Sequence, residues 1–175
     1  ARLDNFYVDL VAENGKKKTL NTSSTGKVAT AELQATIEEL YGKRPIDRKF
    51  NATVYANVII NGQASLIKGE TTVTAIPVAP QISQHYYLIG APSAWDPTCV
   101  TMPFNHSDKD VYEDPIFTIV FPIADGETWF AVTDDITVEK NDWKQVFGCA
   151  EGNGNNGAEG SLKRRADLTD DGSFK

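Results

Sequence analysis

Hydrophobic and polar residues alternate most regularly between residues 50 and 61. Apolar side chains occupy every second position there, and asparagine, threonine and tyrosine fill most of the positions between them. A period of two predicts an antiparallel strand with one buried face. Asn61-Gly62 then predicts a two-residue hairpin that leads into a return strand over about 64–76. The apolar phase of the return strand changes near Gly69, which predicts a β-bulge.

The first half of the chain also predicts an earlier strand and one short helix. The strand covers residues 6–11. The helix covers residues 30–41, and its apolar face consists of Leu33, Ile37, Leu40 and Tyr41. We expect Thr30 to cap the helix and Gly42 to end it in a left-handed conformation.

Two prolines divide the chain into two predicted domains. Pro77 and Pro80 lack backbone donors and restrict the residues before them, so sheet pairing should stop here. We therefore predict an immunoglobulin- or fibronectin III-like domain over 1–79 and a second β-sandwich over 80–175. An immunoglobulin-type sandwich normally takes about 100 residues and seven strands. The first domain is therefore either small or lacks its first strands.

The second half predicts three further strands. The first covers residues 85–90 and ends at a glycine. The nearly continuous apolar run 116–123 predicts a strand buried on both faces. Asp125-Gly126 predicts a hairpin leading into a strand over 127–133. Residues 151–160 are mostly glycine and asparagine and predict a flexible loop.

These elements define the expected fold class as all-β. Two immunoglobulin-like β-sandwich domains follow one another in tandem, and the first carries one short helix. The last residues, 172–175, resemble the opening of a strand, which favours a truncated second domain or a further tail.

Composition narrows the range of partners. The 175 residues carry a formal charge of −7, from 17 basic and 24 acidic side chains. Binding to nucleic acids or to anionic lipids requires a cationic protein surface. An acidic chain disfavours such a surface, so we expect neither as a partner. No apolar stretch approaches the ~20 residues of a membrane-spanning helix. The first residues lack the apolar segment of a signal peptide. A mature exported chain would lack it too, so this does not decide the compartment.

Motifs of cofactor chemistry and catalysis are scarce. Cys99 and Cys149 form no CxxC pair. The sequence is compatible both with a disulfide between them and with two separate thiols. With only two histidines, we expect no metal site and no cofactor. No Gly-x-Ser-x-Gly turn occurs, so we expect no enzyme. A solvated charged face accounts more simply than a glycosidase pair for the carboxylates, such as Asp134, Asp135 and Glu139.

Two glycine-containing segments resemble ligand-binding motifs, but we interpret both as structural. Residues 152–157 match a dinucleotide-binding fingerprint, but no strand–helix unit surrounds them, so we reject nucleotide binding. Residues 167–172 resemble part of a calcium loop, and a polar turn explains them more simply.

The three tryptophans are the most informative candidates for a site. Trp95 and Trp143 lie in polar, loop-like sequence, and Trp129 points away from Phe130 in its predicted strand. An indole can stack on the apolar face of a sugar while polar groups bond its hydroxyls. Half-buried packing of each tryptophan over its own domain remains the alternative.

Several short motifs resemble the SusE/SusF family of surface-exposed outer-membrane lipoproteins. These are a Tyr-rich strand ending in Gly90, Ala94-Trp95-Asp96-Pro97, a strand after Gly126-Glu127, and Asn141-Asp142-Trp143 before Phe147-Gly148. The first half resembles the immunoglobulin-like N-terminal domain of that family. The resemblance implies a carbohydrate-binding β-sandwich module and a lipid anchor upstream of Ala1.

The resemblance also implies the binding residues. Related modules bind sugar with two tryptophans and a lysine, and Trp95 and Trp143 match the two tryptophans. Trp129 occupies the position expected for the lysine, so Lys144 or the cluster Lys163-Arg164-Arg165 would replace it. Arg164 represents that cluster in the expected site.

We therefore expect a non-catalytic protein that binds starch or another polysaccharide at the cell surface and retains it for an outer-membrane transporter. The alternative is a spacer or adaptor that binds a partner protein, such as a transporter component, and no sugar.

Overall fold

The computed structural model describes residues 2–123 and 125–175. The chain consists of two compact units, of which the first ends at Pro80 and the second begins at Gln81. Each unit contains one antiparallel four-stranded sheet. The predicted all-β fold class is confirmed. In the described residues, no helix is long and apolar enough to cross a membrane.

The first unit is a sheet of long strands with one helix against it. Its elements are β1 (Arg2–Ala12), β2 (Lys17–Asn21), α1 (Thr30–Tyr41), β3 (Arg48–Ile60) and β4 (Gln63–Ala75). The strand order is β2-β1-β3-β4. The predicted strands and helix of this half are therefore present, and β2 is an addition that the sequence pattern did not reveal.

The core of the first unit lies between α1 and one face of the sheet. Phe50 and Leu20 from the sheet are buried with Ile37 and Leu40 from the helix. Burial of each large apolar side chain contributes on the order of 1.5–3 kcal/mol. The helix therefore covers this face, and the other face of the sheet carries a stacked pair of tyrosine rings.

The hairpin between β3 and β4 is confirmed. Asn61 and Gly62 both have positive φ, at 50° and 82°, as a tight two-residue hairpin requires. The bulge predicted near Gly69 is wrong, because the register runs unbroken along both strands. Since β4 is an edge strand whose side chains are mostly exposed, its apolar phase was free to change without a backbone irregularity. The bulge of this sheet lies instead in β1, at Asn5.

The two ends of α1 differ in how well the sequence predicted them. Thr30 is not the cap: Ala29 is the N-cap residue, and no side chain caps this end. Gly42 ends the helix as predicted and donates its N–H to the carbonyl of Glu38, but the predicted left-handed conformation is wrong, because φ is 89° and ψ is 177°. Glycine adopts this backbone conformation without steric cost.

The second unit is a sheet of short strands joined by long loops. Its elements are β5 (Tyr86–Gly90), β6 (Phe130–Asp134), α2 (Asp135–Lys140), a 3₁₀ turn (Trp143–Gln145), β7 (Phe147–Cys149), β8 (Leu162–Arg164) and a second 3₁₀ turn (Arg165–Asp167). The strand order is β5-β6-β7-β8. The six-residue α2 was not predicted; Asp134 caps it through the N–H of Thr137.

The prediction of a strand buried on both faces over 116–123 is wrong. This segment forms only an isolated bridge, between Thr118 and Asn105. Its aromatic residues face inward, where Phe117 packs on Tyr86, whereas Val120 is 95% exposed. Asp125-Gly126 consequently does not join two strands within the described residues.

The last residues of the chain extend the sheet. Phe174 and Phe130 exchange two backbone hydrogen bonds, of 3.0 and 2.8 Å, and their rings stack. The strand-like reading of residues 172–175 therefore describes a short pairing beside β6.

Substitution of the hairpin glycine should destabilise the first unit through backbone strain alone. Gly62→Ala places a side chain at φ 82°, where nothing lies within 4 Å to clash with it. We expect the free energy of unfolding to fall by about 1–2 kcal/mol. Gly69→Ala is the matched control, because Gly69 is equally open but lies in regular strand register. The control should be unchanged or slightly more stable in chemical denaturation; equal losses in both variants would contradict the interpretation.

Candidate functional site

The segments that carry Trp95 and Trp143 both contribute a neighbouring residue to one small core cluster of the second unit. Ile89, Ala131 and Val146 form the cluster, and Cys99 packs against it. Val146 directly follows the turn that contains Trp143, and Cys99 belongs to the loop that contains Trp95. Both tryptophan-bearing segments are therefore anchored over this cluster.

The loop at Trp95 is held by local hydrogen bonds. The N–H of Gly90 donates to the carbonyl of Ala94 at 3.0 Å, and the Asp96 carboxylate accepts two bonds of 2.8 Å from Thr98. These two bonds from Thr98 lower the pKa of Asp96. The Trp95 side chain remains 46% exposed, so a fixed turn presents the indole to solvent.

Trp143 lines a depression of about 370 Å³ together with Lys144, Arg165, Asp170 and Asp171. Its side chain is 39% exposed. The carboxylate of Asp142 accepts a hydrogen bond from the N–H of Lys144 at 3.0 Å and so fixes the turn. The site therefore combines an indole with both hydrogen-bond donors and acceptors.

Arg165 is the cation closest to the Trp143 ring among the contacts of the described residues. Its guanidinium carbon lies 5.2 Å from the ring centroid, within the range of a cation–π contact. Burial lowers the pKa of this guanidinium, and the charge of Asp171 acts in the opposite direction. Its Nε is buried without a hydrogen-bond partner among the described residues. Sequence reasoning named this residue only as a member of a basic cluster.

Arg164 occupies a different position from the one expected of a sugar-binding residue. Its guanidinium makes two hydrogen bonds to Asp134, of 2.9 and 2.7 Å, and a third to the carbonyl of Gln145. It also lies 3.7 Å from the centroid of Phe147. The Arg164 side chain is 21% exposed and that of Asp134 is 1% exposed. We therefore assign Arg164 to the internal framework of the unit.

Asp134 is ionised in this framework despite its burial. Burial by itself raises the pKa of the carboxyl, but hydrogen bonds from Arg164, Thr137 and Ser83 outweigh it and lower the pKa overall. The Ser83 hydroxyl donates at 2.7 Å, and Thr137 donates through both its hydroxyl and its N–H. The pair thus joins β6, α2, β8 and the segment that precedes β5.

Trp129 lies at the other end of β6 from the Trp143 turn. Gln145 in that turn accepts a bond from Thr137, which follows the end of β6, whereas Trp129 precedes its start. The indole N–H of Trp129 donates to Glu127 at 3.1 Å, and the Lys175 ammonium lies 5.6 Å from the ring centroid. A Cβ at Gly154 would come within 2.8 Å of the ring. Trp129 therefore packs within its own surroundings.

Side-chain bonds hold the glycine- and asparagine-rich loop at both ends. The Cys149 thiol donates to Glu151 at 3.0 Å and accepts from the Asn155 amide at 3.1 Å. The hydrogen bond from Cys149, followed by those from Ser161, lowers the pKa of Glu151 to about 2. Cys99 and Cys149 are both free thiols, which settles the question of a disulfide in this structure.

Two further acidic residues, Asp135 and Asp170, have local partners. Asp135 contacts the His85 ring at 3.1 Å. Asp170 accepts from the N–H groups of Gly172 and Asn153, as expected of a polar turn. In the described part of the chain, no three histidine, cysteine or acidic side chains converge as metal ligands would.

Comparison with known protein families gives two matches that together cover nearly the whole chain. Residues 81–174 match the family described as SusF, first starch specific CBM, where CBM denotes a carbohydrate-binding module. Residues 2–77 match the family described as outer membrane protein SusF, N-terminal domain. No match was found among curated proteins or solved structures.

Removal of Arg164 should destabilise the second unit strongly. Arg164→Ala leaves the carboxylate of Asp134 buried without its counter-charge, which typically costs about 3–5 kcal/mol. Lys163→Ala is the matched control, because the adjacent side chain is exposed, and we expect a change within about 0.5 kcal/mol. Chemical denaturation of both variants measures the difference. A sugar-binding Arg164 would instead show parental stability with weakened binding.

The carboxyl of Glu151 should titrate about pH 2 in the folded protein, as followed by carbon NMR. Cys149→Ala removes the largest cause of this low pKa and should raise it. Cys99→Ala removes the other free thiol and should leave it unchanged. An unaltered Glu151 titration in Cys149→Ala would show that the thiol contributes nothing.

Proposed function

The chain belongs to the SusF family of surface-exposed outer-membrane proteins, whose module binds carbohydrate, and from this premise we propose how the second unit does so. Trp95 and Trp143 are its sugar platforms. It binds starch or a related polysaccharide without cleaving it and retains the chain for uptake by a transporter of the outer membrane.

The observation that carries this proposal is the shared anchoring of two half-exposed indoles. Trp95 and Trp143 sit on turns that are fixed by the carboxylates of Asp96 and Asp142. Both turns adjoin the cluster around Val146. Because the backbone that carries each indole is already fixed, less conformational freedom is lost when a sugar stacks, and more of the stacking energy is retained as affinity.

Polar groups beside Trp143 supply the bonds to sugar hydroxyls. Lys144 and Arg165 are the donors, and Asp170 and Asp171 are acceptors from the same depression. A hydroxyl both donates and accepts, so a site with both kinds of group suits a neutral polyol. Related modules use a lysine beside the two tryptophans, and the sequence offered Lys144 or the basic cluster 163–165 in its place. We assign this role to Arg165.

Absence of catalysis is part of the proposal. Asp134 is engaged by Arg164 and Asp135 by His85, which leaves both occupied in contacts unrelated to a glycosidic bond. Binding without cleavage keeps a long chain at the surface. Incubation with starch should therefore release no oligosaccharides; detectable products would contradict this part of the proposal.

An adaptor function is the second candidate, favoured by a row of exposed apolar side chains. Ile116, Val120 and Ile123 all face solvent along the segment that precedes β6. Exposed apolar groups of this kind are frequent in protein interfaces. A chain that binds a transporter component and is silent towards a broad panel of glycans would support the adaptor.

Truncation of either platform should weaken glycan binding while the fold survives. Stacking on one indole contributes about 1–2 kcal/mol, so Trp95→Ala or Trp143→Ala should reduce affinity about tenfold or more. Titration with maltoheptaose and thermal melting of each variant give the two readouts.

Trp129→Ala serves as the comparison variant. Because Trp129 packs against Gly154 and Lys175, its loss should lower the melting temperature and leave affinity nearly unchanged. Parental affinity in both platform variants, with loss in Trp129→Ala, would move the site to the other end of β6.

A further inference from the structure

A polar depression in the first unit lies outside the site described above. Its volume is about 490 Å³, within the range of small-molecule sites. It is formed where the start of β1 meets the end of β2 and the neighbouring part of β3. The principal lining residues are Asn5, Tyr7, Asn21, Ser24 and Asn57.

The depression offers side-chain hydrogen-bonding groups that the described part of the chain does not use. The side chains of Asn21, Asn57 and Ser24 have no hydrogen-bond partner among the described residues. Each asparagine amide both donates and accepts, as does a serine hydroxyl. These groups match the alternating donors and acceptors of a polyhydroxylated ligand.

One wall of the depression is aromatic and fixed. The Tyr7 ring stacks on Tyr55 from the neighbouring strand, with centroids 4.6 Å apart and planes 11° apart. Nearby, the Thr22 hydroxyl donates to the carbonyl of Phe6 at 2.9 Å and holds the turn after β2 against β1. The wall therefore combines a fixed ring with a fixed turn.

Charge and backbone geometry restrict the class of ligand. Among the described residues that line the depression, no side chain is charged at neutral pH. A charged ligand would find no counter-charge among these residues to offset the loss of its hydration, whereas a neutral ligand needs none. Asn5 adds the bulge of β1, with φ at 47°, and bulges often redirect side chains at binding sites.

We infer that this depression binds a segment of a neutral glucan chain; the choice of glucan among polyhydroxylated ligands rests on the proposed function. Sugar C–H groups lie against the Tyr7 ring, and hydroxyls bond to the amides of Asn21 and Asn57. The first unit thereby makes its own contact with polysaccharide, independent of Trp95 and Trp143 in the second unit.

Amide NMR of the full chain tests the inference, because it reports the two units separately. Titration with maltoheptaose up to about 10 mM, a range that reveals weak binding, should shift the resonances of Tyr7, Asn21 and Asn57. Shifts around Trp143 report the second unit in the same spectra. Shifts at Trp143 without shifts at Tyr7 would overturn the inference and leave the proposed function standing.

Asn57→Ala provides the matched mutational test. Loss of one amide should weaken binding at the first unit about fivefold or more, measured from the Tyr7 and Asn21 shifts. Asn51→Ala is the control, because Asn51 is an exposed asparagine on the same strand and face, six residues away. Equal weakening in both variants, or none in Asn57→Ala, would overturn the assignment.

Discussion

The buried ion pair of Asp134 and Arg164 is the constraint on which the second unit depends. Strands β7 and β8 have only three residues each, so the backbone ladder alone gives little stability. The carboxylate is removed from water at considerable cost, which several hydrogen bonds offset. The same guanidinium also holds the carbonyl of Gln145, in the turn that carries Trp143. The position of Trp143, the proposed sugar platform, is thus linked to the interior of the unit.

How far the sequence predicts this protein depends on how local each feature is. The hairpin at Asn61-Gly62 follows from alternation and two turn residues, which are properties of neighbouring positions. The apolar run 116–123 is misleading because a count of apolar residues does not distinguish aromatic rings that pack inward from aliphatic groups that face solvent. Helix α2 is too short to show a periodic pattern. In the sequence, its capping residue, Asp134, is indistinguishable from the surface carboxylates near it.

The candidate site shows the same limit at the level of single residues. Polar surroundings were sufficient to single out Trp95 and Trp143 as candidates, and the structure leaves both partly exposed. Arg164 and Arg165 are adjacent and chemically identical, yet one is directed at Asp134 and the other at Trp143. Which of two consecutive side chains points inward depends on the register of β8 with β7, a long-range property that composition does not encode.

The exposed edge strand β4 affects how copies of this chain interact when they are crowded at a membrane surface. A strand of 13 residues with an open edge is a template on which a second copy can pair and begin an aggregate. Lys68 and Glu70 lie on this strand and form an exposed ion pair at 3.1 Å. A second copy that added its own β4 would have to desolvate these charges and bring like charges together in some registers. Charge at the middle of the edge therefore allows neighbouring copies to crowd on one membrane without merging their sheets.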